Sequence, residues 1–371
     1  MKLTVKREDL LRPIQLVVGV VERRQTMPIL ANILLSVKDN QLSTLATDLE
    51  VELSSTIELN GAAKQSGTIT VSGRKIADIC RSLPAGCNIE LEENNKTLTL
   101  HAANSHFNLS TLPADDFPHT QNQTEQASFS LPEKTLRSLV QRTHFAIAEN
   151  NPHYYLNGLA LEIKNNTVHA IASDAHRLSS YTIEQCSTST NEATLRIIVP
   201  KKAIVELMRL LSNAEDLVKI GITKNYIRFQ TTSFTLTSKL IDSKYPNYSK
   251  LIPRGGDKKI ILDRETFKNA LVRVGILSNE MLRSMQLELL PNILRMISHN
   301  TEQEQAQETL PIEYSGEHLE IGFNIAYLLD VLATMSTEQL AITLKDNLTG
   351  AILEEVNGEE NCLYVIMPFQ I

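Results

Sequence analysis

VSGRKIADICRSL, residues 71–83, returns as VPKKAIVELMRLL at 199–211 and as GFNIAYLLDVLAT at 322–334. Each copy starts on an apolar strand end, turns, and continues as one short amphipathic helix. The copies begin 128 and 123 residues apart, so a unit of about 125 residues fills the 371-residue chain three times. A second marker keeps the same register: LTVKREDLLRPI at 3–14, FSLPEKTLRSLV at 129–140 and IILDRETFKNAL at 260–271. Repeats of this size are whole domains, too long for single solenoid units. Three copies of one domain suggest curvature, and they permit an arc, a solenoid or a ring.

Working outward, each unit reads as strand, helix and paired strands, twice over. In the first unit LTV leads into a helix predicted over 8–20, strands follow at ILLSVK, QLSTLAT, VELSSTIEL and GTITVS, and a second helix is predicted over 74–83. NIELE, KTLTLHA and FNLSTL complete it. The alternation in KTLTLHA and YIRFQTTSFTLTSKL marks antiparallel sheets with one face in water. The second helices share an i, i+3, i+4, i+7 stripe that lays one face on a sheet: Ile76, Ile79, Cys80, Leu83; Ile204, Leu207, Met208, Leu211; Ile325, Leu328, Leu329, Leu332. Pro132 and Pro200 suit a first helical turn, and Asp263 and Asn324 suit N-caps. The fold class is α+β, three tandem domains of two helices packed on antiparallel sheets. Boundaries after HTQNQTEQ and within LIPRGGDK give domains at 1–126, 127–255 and 256–371.

Composition excludes several classes. No run of 18 apolar residues exists, so a membrane span is not expected, and MKLTVKREDL lacks the apolar region of a signal peptide. Cys80, Cys87, Cys186 and Cys362 form no CxxC pair, which argues against a zinc ribbon or redox motif and fits reduced thiols in a cytoplasm. No metal and no cofactor is expected.

A net charge of −7 sits oddly with nucleic-acid binding until it is mapped. The helix windows 6–24, 73–83, 132–146, 199–212, 263–277 and 322–336 hold 17 Lys and Arg against 9 Asp and Glu, leaving 19 against 34 elsewhere. Any single charged helix face is usually just solvated. Five of the six windows are positive, however, and on one shared surface they would meet phosphates without reading bases. The sixth, around Asp330, has no basic residue.

Asp174 and His176 in SDAHRL are the one tempting acid–base pair, since two-residue spacing on a strand puts both on one face. No GxSxG, Walker loop or HExxH accompanies them. The matching first-unit segment TDLEV keeps Asp48 and lacks the histidine, which indicates a shared structural aspartate and a histidine added for ligand binding. Catalysis is therefore not expected. A sequence-specific DNA-binding protein is disfavoured too, because no recognition-helix or zinc-finger pattern is present.

MKLTVKREDLL, RRQTMPILANILL, TDLEVE, SGRKIADICRSLP, FNLSTLPADDFP, YYLNGLALE, SDAHRL, VPKKAIVELMRLL, SKLIDSKYPNY, ILSNE, YSGEHLEIGFNIAYLLDVL and YVIMP occur in order from end to end. With these motifs the chain closely resembles the bacterial sliding clamps, the beta subunits of DNA polymerase III. The resemblance implies a head-to-tail homodimer closing a six-domain ring around duplex DNA, with helices lining the hole and sheets forming the wall. Such a clamp makes and breaks no bond; it tethers a polymerase. The partners implied are the DNA polymerase III alpha subunit, the clamp loader delta subunit, and other polymerases and repair proteins that carry a clamp-binding motif.

The resemblance also assigns sites. For DNA contact it points to Arg24, Arg74, Asn150, Tyr154 and Tyr155, and charge alone adds Lys201 and Lys202. Tyr155 reads equally well as strand packing. For a partner-peptide pocket between the second and third domains, the matching positions are Leu156, Ser173, Ala175, His176, Arg177, Leu178, Pro246 and Lys250. They continue through Leu251, Leu282, Asn324, Tyr327, Leu348, Val365, Ile366, Met367, Pro368 and Phe369. An aliphatic, Met-lined groove suits several peptides because its walls repack. Ala175 stands for a glycine, Lys250 for an arginine and Leu282 for an aromatic, and the chain ends MPFQI, so a shifted motif preference is expected. For ring closure, Phe107 and Leu109 are expected against Ile276 and Leu277. Ion pairs are expected between the first domain (Lys75, Asn104 and His106 stand at the facing positions) and Glu302, Glu304 and Glu308. Formal charge is sparse there, so apolar packing should dominate, with some pH sensitivity through His106.

Overall fold

The computed structural model describes residues 1–21, 27–59, 65–120, 123–164, 166–184, 188–190, 194–358 and 361–369. The first repeat runs β1 (Lys2–Lys6), α1 (Arg7–Val17), β2 (Asn32–Lys38), β3 (Gln41–Thr47), β4 (Val51–Glu58), β5 (Gly67–Ser72), α2 (Gly73–Ser82), β6 (Asn88–Asn94), β7 (Thr97–Ala102) and β8 (Ser105–Leu112). The second runs β9 (Ala127–Pro132), α3 (Glu133–Thr143), β10 (Gly158–Lys164), β11 (Thr167–Ser173), β12 (Arg177–Ile183), a short extra β13 (Thr188–Thr190), β14 (Leu195–Pro200), α4 (Lys201–Leu210), β15 (Leu217–Ile222), β16 (Tyr226–Gln230) and β17 (Thr235–Lys239). The third runs β18 (Lys258–Asp263), α5 (Arg264–Gly275), β19 (Ser284–Leu290), β20 (Ile293–His299), β21 (Gln305–Pro311), β22 (Leu319–Asn324), α6 (Ile325–Thr334), β23 (Gln339–Leu344), β24 (Ala351–Glu355) and β25 (Cys362–Ile366). Apart from β13, every repeat is a βαβββ motif written twice.

The chain divides into two compact units that cut through the second repeat. One comprises 1–136, 187–191 and 205–240; the other comprises 137–186, 192–204 and 241–371. The first unit carries one sheet ordered β1-β6-β7-β8-β5-β2-β3-β4-β17-β16-β15-β9-β13. The second carries β14-β10-β11-β12-β25-β24-β23-β18 and, separately, β21-β20-β19-β22. The cause of the division is strand pairing across repeats. Within the first unit β17 of the second repeat adds to β4 of the first, with Leu236 opposite Leu53. Within the second unit β25 of the third repeat adds to β12 of the second, with Val365 opposite Leu178. Unpaired edge amides are costly or adhesive, and each junction removes two edges, one from each strand.

The helical stripes are where periodicity puts them. Ile76, Cys80, Ile204, Leu207, Ile325, Leu328 and Leu332 are buried, while Ile79, Met208 and Leu329 at the shoulder of each stripe are half-buried. The first helix ends at Val17, short of the expected Val20. Val18–Gly19 supplies the break, since β-branched residues and glycine are poor helix formers. A Cβ on Gly19 would stand 2.7 Å from the Arg209 guanidinium, which donates to the Leu16 carbonyl at 2.6 Å. Asp263 and Asn324 cap as expected: Asp263 accepts from the Thr266 amide at 2.7 Å, and Asn324 from the Ala326 amide at 2.8 Å. Pro132 and Pro200 differ from expectation. Each closes its strand, and the helix starts one residue later. The missing N–H thus falls at the end of a ladder, where it costs least. Cys80 is buried, and burial pushes its thiol up to about 12, as befits a core residue rather than a nucleophile. Cys186 lies outside the described residues.

One core feature has no counterpart in the sequence pattern. Arg142, counted above among the basic helix residues, is buried and bonds Glu355 at 2.7 Å, with side-chain exposures of 6% and 0%. Arg142 also reaches Ser336 and Ser138, both at 3.3 Å, and its carbonyl accepts from Ser179 at 2.6 Å. Burial alone would raise the Glu355 carboxyl, but the Ser336 amide and the Arg142 guanidinium outweigh it and hold it below the usual carboxylate range. The pair ties α3 of the second repeat to β24 of the third. Removing one partner leaves a buried charge unpaired, so Arg142→Ala should cost about 3–5 kcal/mol in urea unfolding. Because the folded Glu355 pKa is depressed, its contribution is complete above about pH 4.3 and is lost as pH falls through the folded value. An unchanged urea midpoint in Arg142→Ala would refute this role.

Candidate functional site

The segment Ser173–Arg177 is a tight turn between β11 and β12, so Asp174 and His176 do not share the face of a strand. Asp174 Oδ1 accepts from the amides of His176 and Arg177, both at 3.0 Å, and its Oδ2 accepts from Arg177 Nε at 3.0 Å. Ser173 Oγ donates to the Arg177 carbonyl at 2.8 Å and accepts from the Ala175 amide at 3.2 Å. The carboxylate is consumed by its own turn and orients no imidazole. The first repeat builds the same turn from Thr47, Asp48 and Leu49: Asp48 accepts from the Glu50 and Val51 amides at 2.9 and 2.7 Å. Asp48 and Asp174 are structural, as the comparison of TDLEV with SDAHRL indicated. Both turns put a non-glycine residue in the left-handed region, Leu49 at φ 77 and Ala175 at φ 78. That conformation favours glycine, the residue Ala175 was expected to replace.

Arg177 organises what surrounds the turn. Besides Asp174, its guanidinium bonds Asp330 on α6, donates to the Phe145 carbonyl at 2.7 Å, and lies 4.4 Å over the Tyr327 ring. This explains the acidic helix window around Asp330: its carboxylate serves an arginine 153 positions earlier. The exposed His176 ring stacks on Tyr327 at 6.3 Å, and its carbonyl accepts from the Met367 amide at 2.8 Å. Phe369 then bridges to Gly322 at 3.1 Å, fixing the last described residues along β22.

Around this node the expected groove residues assemble in part. Leu178 and Val365 sit opposite each other in a buried cluster with Ala160, Ile171 and Ile198. Leu156, Ser173 and Ile366 are buried too, and Pro368 is half-buried. Leu251, Leu282, Leu348, Met367 and Phe369 remain exposed apolar side chains. Asn324 Nδ2 holds the Leu282 carbonyl at 3.0 Å, and Asp346 caps the Leu348 amide at 3.0 Å. A Cβ on Gly350 would stand 3.0 Å from the Met367 sulfur, which brings the 346–350 loop against Met367. Of the expected groove residues, only Pro246 lines a cavity of about 690 Å³ under the 242–249 segment. Tyr245, Tyr248, Arg196 and Glu162 also line it, and sequence reading did not single them out. Lys250 lines a second hollow with Asn247, Ser249 and Arg254. The Tyr245 hydroxyl is buried without a hydrogen-bond partner, and burial raises its pKa. An isolated phenol in a run of strap residues leaves no periodic mark, so nothing in the sequence pointed to it.

The residues assigned to DNA contact fare unevenly. Arg24 lies outside the described residues. Arg74 is exposed and donates to the Val21 carbonyl at 2.9 Å. Asn151 and Asn157 lock the following loop through two bonds of 2.8 Å, and Tyr154 stands 74% exposed upon it. Asn150 is exposed with φ 53. Tyr155 is half-buried, packs edge-on to Tyr245 at 5.9 Å and belongs to the cluster margin. Lys201 reaches Glu149 at 3.5 Å, and Lys202 is half-buried. Not all of the helical positive charge faces solvent. Arg7 donates to the Cys80 carbonyl at 2.7 Å, Arg264 to the Met335 carbonyl, and Arg142 is buried, so part of the helical positive charge is internal wiring.

For closure, Ile276 is 74% exposed and Leu277 half-buried, Phe107 is half-buried, and Leu109 is already 91% covered by its own chain, at 9% exposure. Lys75 and Asn104 are exposed. His106 contacts His101 at 3.0 Å. Glu302 and Glu304 are exposed at a turn capped by Asn300, which accepts from both their amides. Glu308, expected in ion pairs with the first domain, is bonded by Arg273 of its own chain at 2.9 Å, which keeps its carboxyl below the usual range.

Comparison with known proteins accords with this architecture. Three models match in tandem: the DNA polymerase III beta subunit N-terminal domain over 1–121, its central domain over 130–247 and its C-terminal domain over 249–370. The beta sliding clamp of Pseudomonas putida is 45% identical and that of Escherichia coli 38%, each with full coverage of both chains. The crystal structure of a Pseudomonas aeruginosa sliding clamp bound to griselimycin aligns at TM-score 0.95 and 44% identity, again over all of both chains. The fold and these likenesses define a DNA sliding clamp, a processivity factor of replication that performs no catalysis. The chain belongs to the DNA polymerase III beta subunit family.

The Ala175 turn offers a direct check. Ala175→Gly removes a left-handed penalty of about 1–2 kcal/mol and adds about 0.5–1 kcal/mol of unfolded-state freedom, so the variant should be at least as stable as the unaltered chain. A lower melting temperature in Ala175→Gly would contradict this reading of the turn.

Proposed function

We propose that two copies of this chain close head-to-tail into a six-domain ring on duplex DNA, with domains at 1–126, 127–255 and 256–371. One observation carries the proposal. In each repeat the strands form two four-strand halves: β5-β2-β3-β4 with β8-β7-β6-β1, β14-β10-β11-β12 with β17-β16-β15-β9, and β22-β19-β20-β21 with β25-β24-β23-β18. The last strand of one first half always meets the leading strand of the next second half, as β4 meets β17 and β12 meets β25. Two members of that series lack a partner. Among the described residues β21 pairs only with β20, and β8 meets β5 only at Thr111 and Leu112. The missing junction is β21 against β8 of a second chain, antiparallel like the others. It brings the third domain of one copy to the first domain of the next, and two such junctions close the ring. Exposed Ile276, with Leu277, and Phe107 then supply the apolar part of the seam.

In this reading the clamp slides because its DNA contacts are phosphate contacts without base readout, from Arg24, Arg74, Lys201 and Lys202, with Asn150 and Tyr154 beside them. Tyr155 supports that loop from behind. The groove round Leu178, Val365, Met367 and the Arg177–Tyr327 node takes a short apolar motif from the polymerase III alpha subunit, the loader delta subunit, and other polymerases and repair proteins. The protein acts in the cytoplasm. No helix among the described residues is long and apolar enough to cross a membrane.

Ile276→Asp buries a charge in the seam and should convert the dimer to monomer in sedimentation, with retention on nicked circular DNA falling to that on linear DNA. Equal retention of the unaltered protein on circles and linears would sink the topological reading. Met367→Asp should weaken binding of a clamp-binding peptide by about tenfold or more while leaving the dimer intact, since one desolvated apolar contact is worth about 1–3 kcal/mol. Unchanged peptide affinity would remove Met367 from the groove.

A further inference from the structure

From Ser243 to Ile260 the sequence carries Lys244, Lys250, Arg254, Lys258 and Lys259 against a single acid, Asp257, in a chain whose net charge is −7. Lys258 holds Asp257 at 2.9 Å, so the acid is matched within the segment. The segment begins against the groove: Tyr245 and Tyr248 pack on the buried cluster that contains Leu178 and Val365. One turn of 3₁₀ helix follows at Tyr248–Lys250. Asn247 Oδ1 accepts from the Ser249 amide at 3.1 Å to start it, and the Leu251 amide donates to the Tyr248 carbonyl at 2.8 Å to close it. Beyond the turn Leu251 stands 53% exposed. Its neighbours Lys250 and Ile252 line an open hollow of about 540 Å³ with Asn247, Ser249, Pro253 and Arg254. No carboxylate lines this hollow. Lys250 and Arg254 are both exposed, and among the described residues neither makes a hydrogen bond or an ion pair.

We infer that this hollow selects an acidic residue flanking the apolar motif of a partner peptide, with Lys250 and Arg254 as the cations that receive it. The inference rests on the groove reading proposed above, because Leu251, a groove position, lies between two residues of the hollow. Every polar side chain of the hollow can donate: the ammonium, the guanidinium, the Ser249 hydroxyl and Asn247 Nδ2, whose partner oxygen is taken by the turn. An ionised carboxylate only accepts, so it matches all of them. A nucleic-acid phosphate would satisfy the same donors, but it brings no apolar group to Leu251 and Ile252. An acidic peptide with an adjacent apolar motif supplies both. Ion pairs at exposed cations are individually weak, so the hollow tunes the choice among partners and the groove supplies most of the affinity. A basic flank would be repelled by the same two charges, which makes the selection two-sided.

Fluorescence anisotropy on the full-length protein tests it, with a labelled clamp-binding peptide extended at either end by a run of glutamates or of glutamines. The readout is the ratio of the two affinities, which a general loss of groove binding does not move. At low salt, glutamate at one of the two ends should bind about three- to tenfold more tightly than glutamine, and the ratio should shrink as salt rises. Lys250→Gln and Arg254→Gln should each lower the ratio, and the double variant should bring it to about one. Lys38→Gln removes the same charge from the first repeat and should leave the ratio unchanged. Peptides that bind without a glutamate preference, or a preference that survives the double variant, would overturn the hollow and leave the groove standing. Failure of the unaltered chain to bind any of the peptides would sink the groove reading and this one with it. Oligothymidylate binding that the double variant loses, with no glutamate preference, would overturn the inference in favour of a phosphate ligand.

Discussion

The architecture depends on one constraint: a β-strand at the edge of a sheet carries a row of amides and carbonyls that require partners. Each repeat ends its first half with such a strand and opens its second half with another. At β4 and β17, and again at β12 and β25, the chain satisfies both edges by joining successive repeats into one ladder. This is why the compact units do not coincide with the repeats. A domain that can pair both its edges only with its neighbours must be built as part of a series, and a series with free ends is either capped or closed. Among the described residues β21 pairs only with β20 and β8 meets β5 only at Thr111 and Leu112, and in the proposed ring these two strands are the complementary members of the series.

Side chains reinforce the ladder where it passes from the second repeat to the third. Arg142 with Glu355, and Arg177 with Asp174 and Asp330, are arginine nodes on either side of the β12–β25 junction. Both satisfy several acceptors with one planar guanidinium, which suits arginine rather than lysine for a buried or half-buried crossing. The Arg177 node also braces Tyr327, on which His176 stacks, so the proposed partner groove and the inter-repeat junction would share their supports. The non-glycine residues at φ 77 and φ 78 show that the turn is retained even at a cost in backbone strain.

Much of this was legible in the residues. The stripes Ile76–Leu83, Ile204–Leu211 and Ile325–Leu332 carry a 3.6-residue period, and KTLTLHA carries a period of two, so element type and domain repetition follow from local pattern. Asp263 and Asn324 announced their caps because capping is a contact of two or three residues. Pattern failed where a residue's role is set by a remote partner. Arg142 and Arg7 look like surface charge in sequence, yet one is buried on Glu355 and the other bonds the Cys80 carbonyl. His176 and Asp174 look like an acid–base pair, because spacing alone cannot distinguish a strand from a turn.

Alone, the sequence determined that there are three copies of one α+β domain, which faces of their helices and strands are apolar, and, through its motifs, the family. Tertiary structure decided which strand edges are satisfied within the chain and which are not, and which charges are spent internally. The physical reason is range. Periodicity and capping act over a few residues, whereas the contacts that decide the rest join positions 213 apart at Arg142 and Glu355 and 153 apart at Arg177 and Asp330. Only the folded chain brings such pairs to hydrogen-bonding distance.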